Sequence, residues 1–348
     1  MLNKKQIEEI KKHLDRAQNP IFFFDNDPDG LCSFLLLQRY IGRGKGVAIK
    51  SFPALDANYF RKIKELDADY VFILDKSIVA EGFWKEVDQI NIPVVCIDHH
   101  DVDRNIIPDF VNYYNPIFNK QKGSEPVSHL CYQVVDNKED LWIAVVGCIA
   151  DKFIPEYYAD FRKQFPELSV DADDAFDIVY KSQIGKVSQI FSFALKDRTT
   201  NVVSMLRFLM KAKGPYEVLE ESSKNYAMHK RFNEIDKKLN KLFKKAKDVG
   251  YSCGNLLFFQ YGGDLSISSD LSNILRYFFP TKYVIVAYIT GAKANISARG
   301  EGIRNILLKA IENLEDATGG GHENAVGAKI QVEDLEKFKE NLEKLLTK

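Results

Sequence analysis

Short apolar runs that break into acidic residues set the rhythm of the first half of the chain. Residues Ile7 to Ala17 space their apolar positions as an amphipathic helix, and Ile21-Phe-Phe-Phe24 follows as a buried strand. That strand stops at Asp25-Asn-Asp-Pro-Asp-Gly30, after which Leu31 to Tyr40 reads as a helix and Val47 to Phe52 as a strand. Tyr70-Val-Phe-Ile-Leu74 is a strand ending on Asp75, and Val94-Val-Cys-Ile97 is a strand ending on Asp98-His-His100. Ile78 to Ile90 supplies the crossover helix between them, and helical periods return at Pro126 to Val135 and Asp140 to Ile149, just before Asp151. Strands alternating with helices predict an α/β domain with a doubly wound, mainly parallel sheet.

From about Phe153 to Gly250 the strand signal fades. Lys224 to Lys247 is the clearest helix there: Phe232, Ile235, Leu239, Leu242 and Ala246 share one face, and the other is crowded with lysines. Beyond Gly250 strands reappear at Leu256 to Phe259, Tyr283 to Ile289 and Lys329 to Val332, with helices at Ser269 to Phe278, Gly302 to Leu314 and Leu335 to Leu346. The expected organisation is a metal-binding catalytic domain over 1–185, a helical connector over 186–248 and a smaller α/β substrate-binding domain over 249–348.

Composition adds limits. The chain has 348 residues, 45% hydrophobic and 28% charged, with a net charge of -1, so it is not built to coat nucleic acid over its whole surface. A local basic groove remains compatible with that balance. The five cysteines form no C-x-x-C pair and read as buried free thiols. No apolar run is long enough to span a bilayer, and the charged first ten residues do not read as a signal peptide, so a cytoplasmic protein is expected. His13, His129 and His229 read as structural or surface residues, and Trp84 and Trp142 as core.

The chemistry lies at the strand ends. In a parallel α/β sheet the carboxyl ends of the strands share one edge, where ligands bind. Asp25, Asp27, Asp29, Asp75, Asp98, His99 and His100 therefore converge although they are far apart in sequence. So many carboxylates repel one another unless a counter-charge joins them. A pair of divalent ions about 3.5–4 Å apart supplies it, and oxygen ligands with imidazole suit Mn²⁺ or Mg²⁺ better than Zn²⁺. An EF-hand does not fit, because its twelfth loop position falls on Leu36 where a bidentate Glu is required. Asp-Pro-Asp-Gly alone is also an ordinary turn; the joint placement makes the case.

Asp25-Asn-Asp-Pro-Asp-Gly30, Ile73-Leu-Asp75, Asp98-His-His100 and Gly147-Cys-Ile-Ala-Asp151 follow one another as in the DHH phosphoesterase superfamily, which this chain resembles. Gly319-Gly-Gly-His322, with Ala325 and Gly327 after it and Ser297-Ala-Arg299 upstream, resembles the C-terminal domain associated with that family. The Asp-rich first motif is similar to that of RecJ-type nucleases, though many relatives carry His at the position of Asp25. Pro28 stands where a small residue is usual, and Ser77 where glycine is common. The resemblance implies that Asp27 and Asp25 bind one metal, that Asp29, His99 and Asp151 bind the other, and that Asp75 bridges them. Asp98 would orient a histidine, and His100 would contact the phosphoryl oxygen. Mn²⁺ is the preferred ion, with Mg²⁺ as the alternative. Ser297, Arg299, Gly319, Gly320, Gly321 and His322 would hold the substrate.

The implied activity is a metal-dependent phosphodiesterase, first of all a RecJ-like exonuclease cutting single-stranded DNA or RNA to nucleoside monophosphates through a metal-activated water. A phosphodiesterase for nanoRNA, other short oligonucleotides or cyclic dinucleotides is the alternative, and a non-catalytic RecJ-like replication or repair subunit the second alternative. The expected partner is single-stranded nucleic acid or a short oligonucleotide, without a membrane. DNA repair or replication partners and a homodimer are compatible with it. The lysine-rich face of residues 224–247 either borders a groove for a single strand or, as such faces usually are, is simply solvated.

Overall fold

Phe22, Phe23 and Phe24 are completely buried because the strand that carries them is covered on both faces. The computed structural model describes residues 1–51 and 54–346. Its first part runs α1 (Lys4–Arg16), β1 (Pro20–Asp25), α2 (Pro28–Ile41), β2 (Lys45–Ile49), α3 (Phe60–Glu65), β3 (Tyr70–Leu74), α4 (Glu81–Ile90), β4 (Val94–Ile97), β5 (Val111–Tyr114), α5 (Val127–Val135) and α6 (Leu141–Ala150). The five strands form one parallel sheet in the order β2-β1-β3-β4-β5. On one face Ile21, Phe23, Val71, Ile73 and Val94 pack against Phe60 and Ile63 of α3 and Phe83, Trp84 and Val87 of α4. On the other, Phe22 and Phe24 meet Phe34 of α2, the latter pair stacked at 5.2 Å. Burying each of these side chains contributes about 1.5–3 kcal/mol, so the sheet is a stiff platform for whatever its edge carries.

The expected parallel α/β domain is therefore present, with β3 and β4 bounded as their apolar runs predict. Phe52, the far end of the strand expected over Val47 to Phe52, lies outside the described residues; the strand itself ends at Ile49. Strand β5 has no counterpart in the sequence reading. It is four residues long, and its polar Asn112 hides the apolar run.

The rest of this part is helical: α7 (Tyr158–Gln164), α8 (Ala175–Lys181), α9 (Gln183–Leu195), α10 (Thr199–Leu209), α11 (Pro215–Leu219) and the long α12 (Tyr226–Ser252). The chain divides into two compact units, Met1–Phe232 and Asn233–Lys348, with the boundary inside α12. Helix α9 packs on α2 and α6, and its Phe191 faces Trp142 at 6.4 Å; that contact is why the helices after residue 185 fold into the first unit.

The second unit runs β6 (Leu256–Gly262), α13 (Ser268–Phe278), β7 (Tyr283–Thr290), β8 (Lys293–Arg299), α14 (Ile303–Ile311), β9 (Thr318–His322), β10 (Ala325–Gln331) and α15 (Leu335–Leu346). Its mixed sheet has the order β6-β7-β8-β10-β9, parallel only between β6 and β7. Ile296, Leu307, Ile311, Ile330 and Phe338 lie in its core. No helix among the described residues is long and apolar enough to cross a membrane.

Candidate active site

Register brings the acidic residues into line. Phe24 pairs with Leu74, Leu74 with Ile97, and Ile97 with Tyr114. One residue further along each strand stand Asp25, Asp75, Asp98 and Asn115, a row across the carboxyl edge of the sheet. The order β2-β1-β3 places the topological switch between β1 and β3, the crevice where parallel sheets bind ligands. Asp75 turns there with φ 59°, a left-handed conformation that non-glycine residues rarely hold and that costs on the order of 1–3 kcal/mol. Its Oδ1 is buried and has no hydrogen-bond partner. It lies 3.4 Å from His99 Nε2 and 3.9 Å from His100 Nδ1.

The loop from β1 to α2 supplies two more carboxylates. Asp27 caps α2, its Oδ1 accepting from the Gly30 amide at 2.9 Å. Gly30 is required because a Cβ there would lie 2.5 Å from the Asp25 carbonyl oxygen. Asp29 is buried and accepts from the amides of Val127 at 2.8 Å and Ser128 at 2.9 Å, and from the Ser128 hydroxyl. It thus occupies the N-terminus of α5, where a negative charge is favoured. Gly147 leaves room for this arrangement, since a Cβ would lie 2.6 Å from that of Ser128. Ligand atoms of Asp29, His99 and Asp151 lie within 4.8 Å of one another, as do those of Asp75, Asp98 and His100. Asp151 reaches the solvent, its side chain 38% exposed.

Crowding shows in the proton affinities. Burial, then the charges of Asp25 and Asp29, raises Asp27 to about 7. Burial and Asp151 raise Asp29 to about 6, against the opposing pull of His99 and Ser128. Asp75 is pushed well above the usual carboxylate range by burial and by Asp29 and Asp27. The histidines move the other way. Burial would lower His100, but its bond to Asp98 and the charges of Asp98 and Asp75 raise it to about 9. His99 is likewise raised, because Asp151 and Asp29 outweigh its burial. Burial would raise Asp98, but hydrogen bonds from His100 at 2.7 Å and Tyr113 at 2.8 Å hold it below its ordinary value.

The bonds also orient the rings. His99 Nδ1 lies 3.2 Å from the Ser124 carbonyl oxygen, which turns Nε2 toward Asp75 and Asp151. Asn115 ties the His100 carbonyl to the Tyr113 hydroxyl. An oxygen-rich donor set with imidazole, and a buried carboxylate oxygen left without a partner, fit a hard divalent cation.

Three contributors were not legible in sequence: Tyr113, Ser128 and Lys76. Lys76 is buried, 6% exposed, and pairs with Asp25 at 2.8 Å. A lysine directly after a strand-end aspartate was the available signal, yet lysines beside turns are usually solvated.

The C-terminal residues lie in the second unit. Ser297 Oγ is 2.9 Å from Ser268 Oγ. Arg299 is buried, donating from Nε to Asn273 at 2.6 Å, from Nη2 to Ser269 at 2.9 Å and from Nη1 to the Ala298 carbonyl at 2.8 Å. Gly319, Gly320, Gly321 and His322 form an edge strand, β9, paired with β10. Gly321 has φ 143° and His322 is exposed.

The fold and this row of carboxylates agree with what is found by comparison. Residues 21–156 match the DHH family N-terminal domain, and residues 254–348 match the DHHA1 domain. The chain carries a DHH family N-terminal domain followed by a DHHA1 domain. Among solved structures it is similar to RecJ from Thermus thermophilus in complex with Mn²⁺, at 14% identity and TM-score 0.69, over 97% of this chain and 53% of that one. The chain thus spans about half the length of that relative. It is also similar to Cdc45 from Entamoeba histolytica, at 11% identity and TM-score 0.56 over 100% of both chains. A pGpG-specific phosphodiesterase from Vibrio cholerae matches at 13% identity and TM-score 0.51, over 95% of this chain and 99% of that one. No curated protein sequence matches this one. This architecture supports phosphoester hydrolysis as the class of chemistry.

Proposed function

We propose that this chain is a divalent-metal-dependent phosphodiesterase acting on single-stranded DNA or RNA as an exonuclease. The observation that carries the reading is the partnerless Asp75 Oδ1, buried at the switch point among carboxylates that raise one another's proton affinity. Asp29, His99 and Asp151 would hold one ion, Asp27 and Asp25 a second, with Asp75 between them. Mn²⁺ or Mg²⁺ bound there supplies a lowered water pKa and neutralises charge on the phosphoryl group.

The chain's own groups do the remainder. In the metal-free protein His100 is raised to about 9 against its burial, first through its bond to Asp98, and so carries a proton at neutral pH. It can donate to a phosphoryl oxygen as negative charge grows there. Asp98 and Tyr113 fix its ring. In the second unit, exposed His322 and the small residues of β9 offer a surface on which a base or phosphate can approach the backbone closely.

Two neighbours bear on the substrate. The likeness to an exonuclease RecJ bound to manganese supports the exonuclease reading, and the pGpG-specific phosphodiesterase supports a second reading in which the substrate is a dinucleotide or another short oligonucleotide. The Cdc45 likeness is one of fold, and against a non-catalytic role stands the set of carboxylates and histidines gathered at the sheet edge. End-labelled single strands of DNA and RNA from two to twenty-odd nucleotides, incubated with Mn²⁺, test all three. Progressive shortening of the longer strands is expected. Cleavage confined to dinucleotides moves the assignment to the second reading, and no cleavage at any length sinks both enzymatic readings.

A further inference from the structure

We infer that Lys76 makes the two cation positions of this centre unequal. A divalent ion binds tightly on the Asp29–His99–Asp151 side, and only weakly, in competition with the Lys76 ammonium, on the Asp25–Asp27 side. The inference rests on the metal-dependent reading above.

Lys76 follows Asp75 at the end of β3, and β3 is hydrogen-bonded to β1, whose last residue is Asp25. Its side chain is almost wholly withdrawn from water, and its Nζ bonds Asp25 Oδ1 at 2.8 Å, with no other polar contact among the described residues. A buried ammonium stripped of its only carboxylate is strongly destabilised. Any ion that takes Asp25 as a ligand must therefore displace that pairing or share the carboxylate with a positive neighbour. Lysine is already doing electrostatically what a second metal would do: neutralising one carboxylate of a crowded set.

The other side has no such occupant. No lysine or arginine forms an ion pair with Asp29, Asp75 or Asp151 among the described residues. Asp29 is held in place by the amides of Val127 and Ser128, and His99 by the Ser124 carbonyl. That side is preorganised, and the groups facing its carboxylates are imidazoles, which can give up a proton to an incoming cation as a fixed ammonium does not. Asp25, by contrast, is one-third exposed and already paired.

The test counts ions rather than turnover. Full-length protein is stripped with a chelator and titrated with Mn²⁺, the free ion being read by electron paramagnetic resonance and the heat by calorimetry. The wild type is expected to take one ion tightly and a second about tenfold or more weakly. Lys76→Met should tighten the second step about tenfold and leave the first unchanged, while Lys76→Arg, which keeps the charge, should behave as the wild type. Lys76→Gln gives the same reading should the methionine variant not fold. Two equal steps in the wild type, or a weak step that neither neutral variant moves, overturns the inference and leaves the phosphodiesterase reading standing. No Mn²⁺ uptake by any form overturns both.

Discussion

The buried residues expected to do chemistry are held differently in the two units. In the first, carboxylates at the sheet edge are crowded, raised in proton affinity, and in the case of Asp75 Oδ1 left without a partner. In the second, the two buried residues expected to hold substrate are bonded within the protein: Ser297 meets Ser268, and the Arg299 fork is filled by Asn273, Ser269 and a carbonyl. A folded protein keeps nearly all its buried polar atoms bonded. A site that departs from that rule is poised for something it lacks, whereas one that obeys it is complete without a ligand. The contrast sets a row of carboxylates suited to a cation beside two polar residues whose bonds are already made.

Asp75→Asn strikes the contrast hardest. Oligonucleotide cleavage with Mn²⁺ should fall by on the order of 10²–10³-fold. The metal-free protein should melt higher, because a buried carboxylate with no partner has been made neutral. Cleavage rates beside melting curves read both. A variant that cleaves normally, or that melts lower without metal, would show that Asp75 is a structural turn residue.

Protons sharpen the same point at a smaller magnitude. Asp27 and Asp29 sit near 7 and 6 when folded, well above their unfolded values near 3.8. The folded state therefore binds protons that the unfolded state has lost, so metal-free stability should fall as pH rises from about 4 through 7, and His100, raised to about 9, should continue the fall above that. Mn²⁺ must expel the same protons. Its affinity should climb as pH rises through 6 and 7, by about tenfold per pH unit for each proton released. Calorimetry in buffers of different ionisation enthalpy counts those protons. A pH-independent affinity over this range would mean that neither group is a ligand.

The legibility of the sequence follows the same division. Tyr70–Leu74 and Val94–Ile97 were readable because each is an uninterrupted apolar run closed by an aspartate, and burial on both faces demands that pattern. The convergence of Asp25, Asp75 and Asp98 then follows from parallel pairing alone. What could not be read depends on partners far along the chain. Lys76 is buried only because Asp25, fifty-one residues earlier, is there to receive it. Thr318-Gly-Gly-Gly-His322 carries a loop composition, and only its pairing with β10 makes it a strand. Strand β8 mixes Lys293, Asn295 and Ser297 with alanines, too weak an alternation to stand out, so the burial of Arg299 at its end was hidden as well.

Arg299 provides the finest test of the difference between the units. Read from sequence it is a phosphate grip; in the fold its donors already serve α13 and its own strand. Lysine keeps the charge but cannot reproduce a planar fork. Arg299→Lys should lose one or two hydrogen bonds, each contributing about 0.5–1.5 kcal/mol, and lower the melting temperature by a few degrees. Mn²⁺ uptake and kcat should hold, since no ligand of the first unit is touched. The informative reversal is a raised KM with unchanged melting. That result would mean the guanidinium turns from Asn273 and Ser269 to the substrate phosphate on binding, and that the second unit, too, is completed by its ligand.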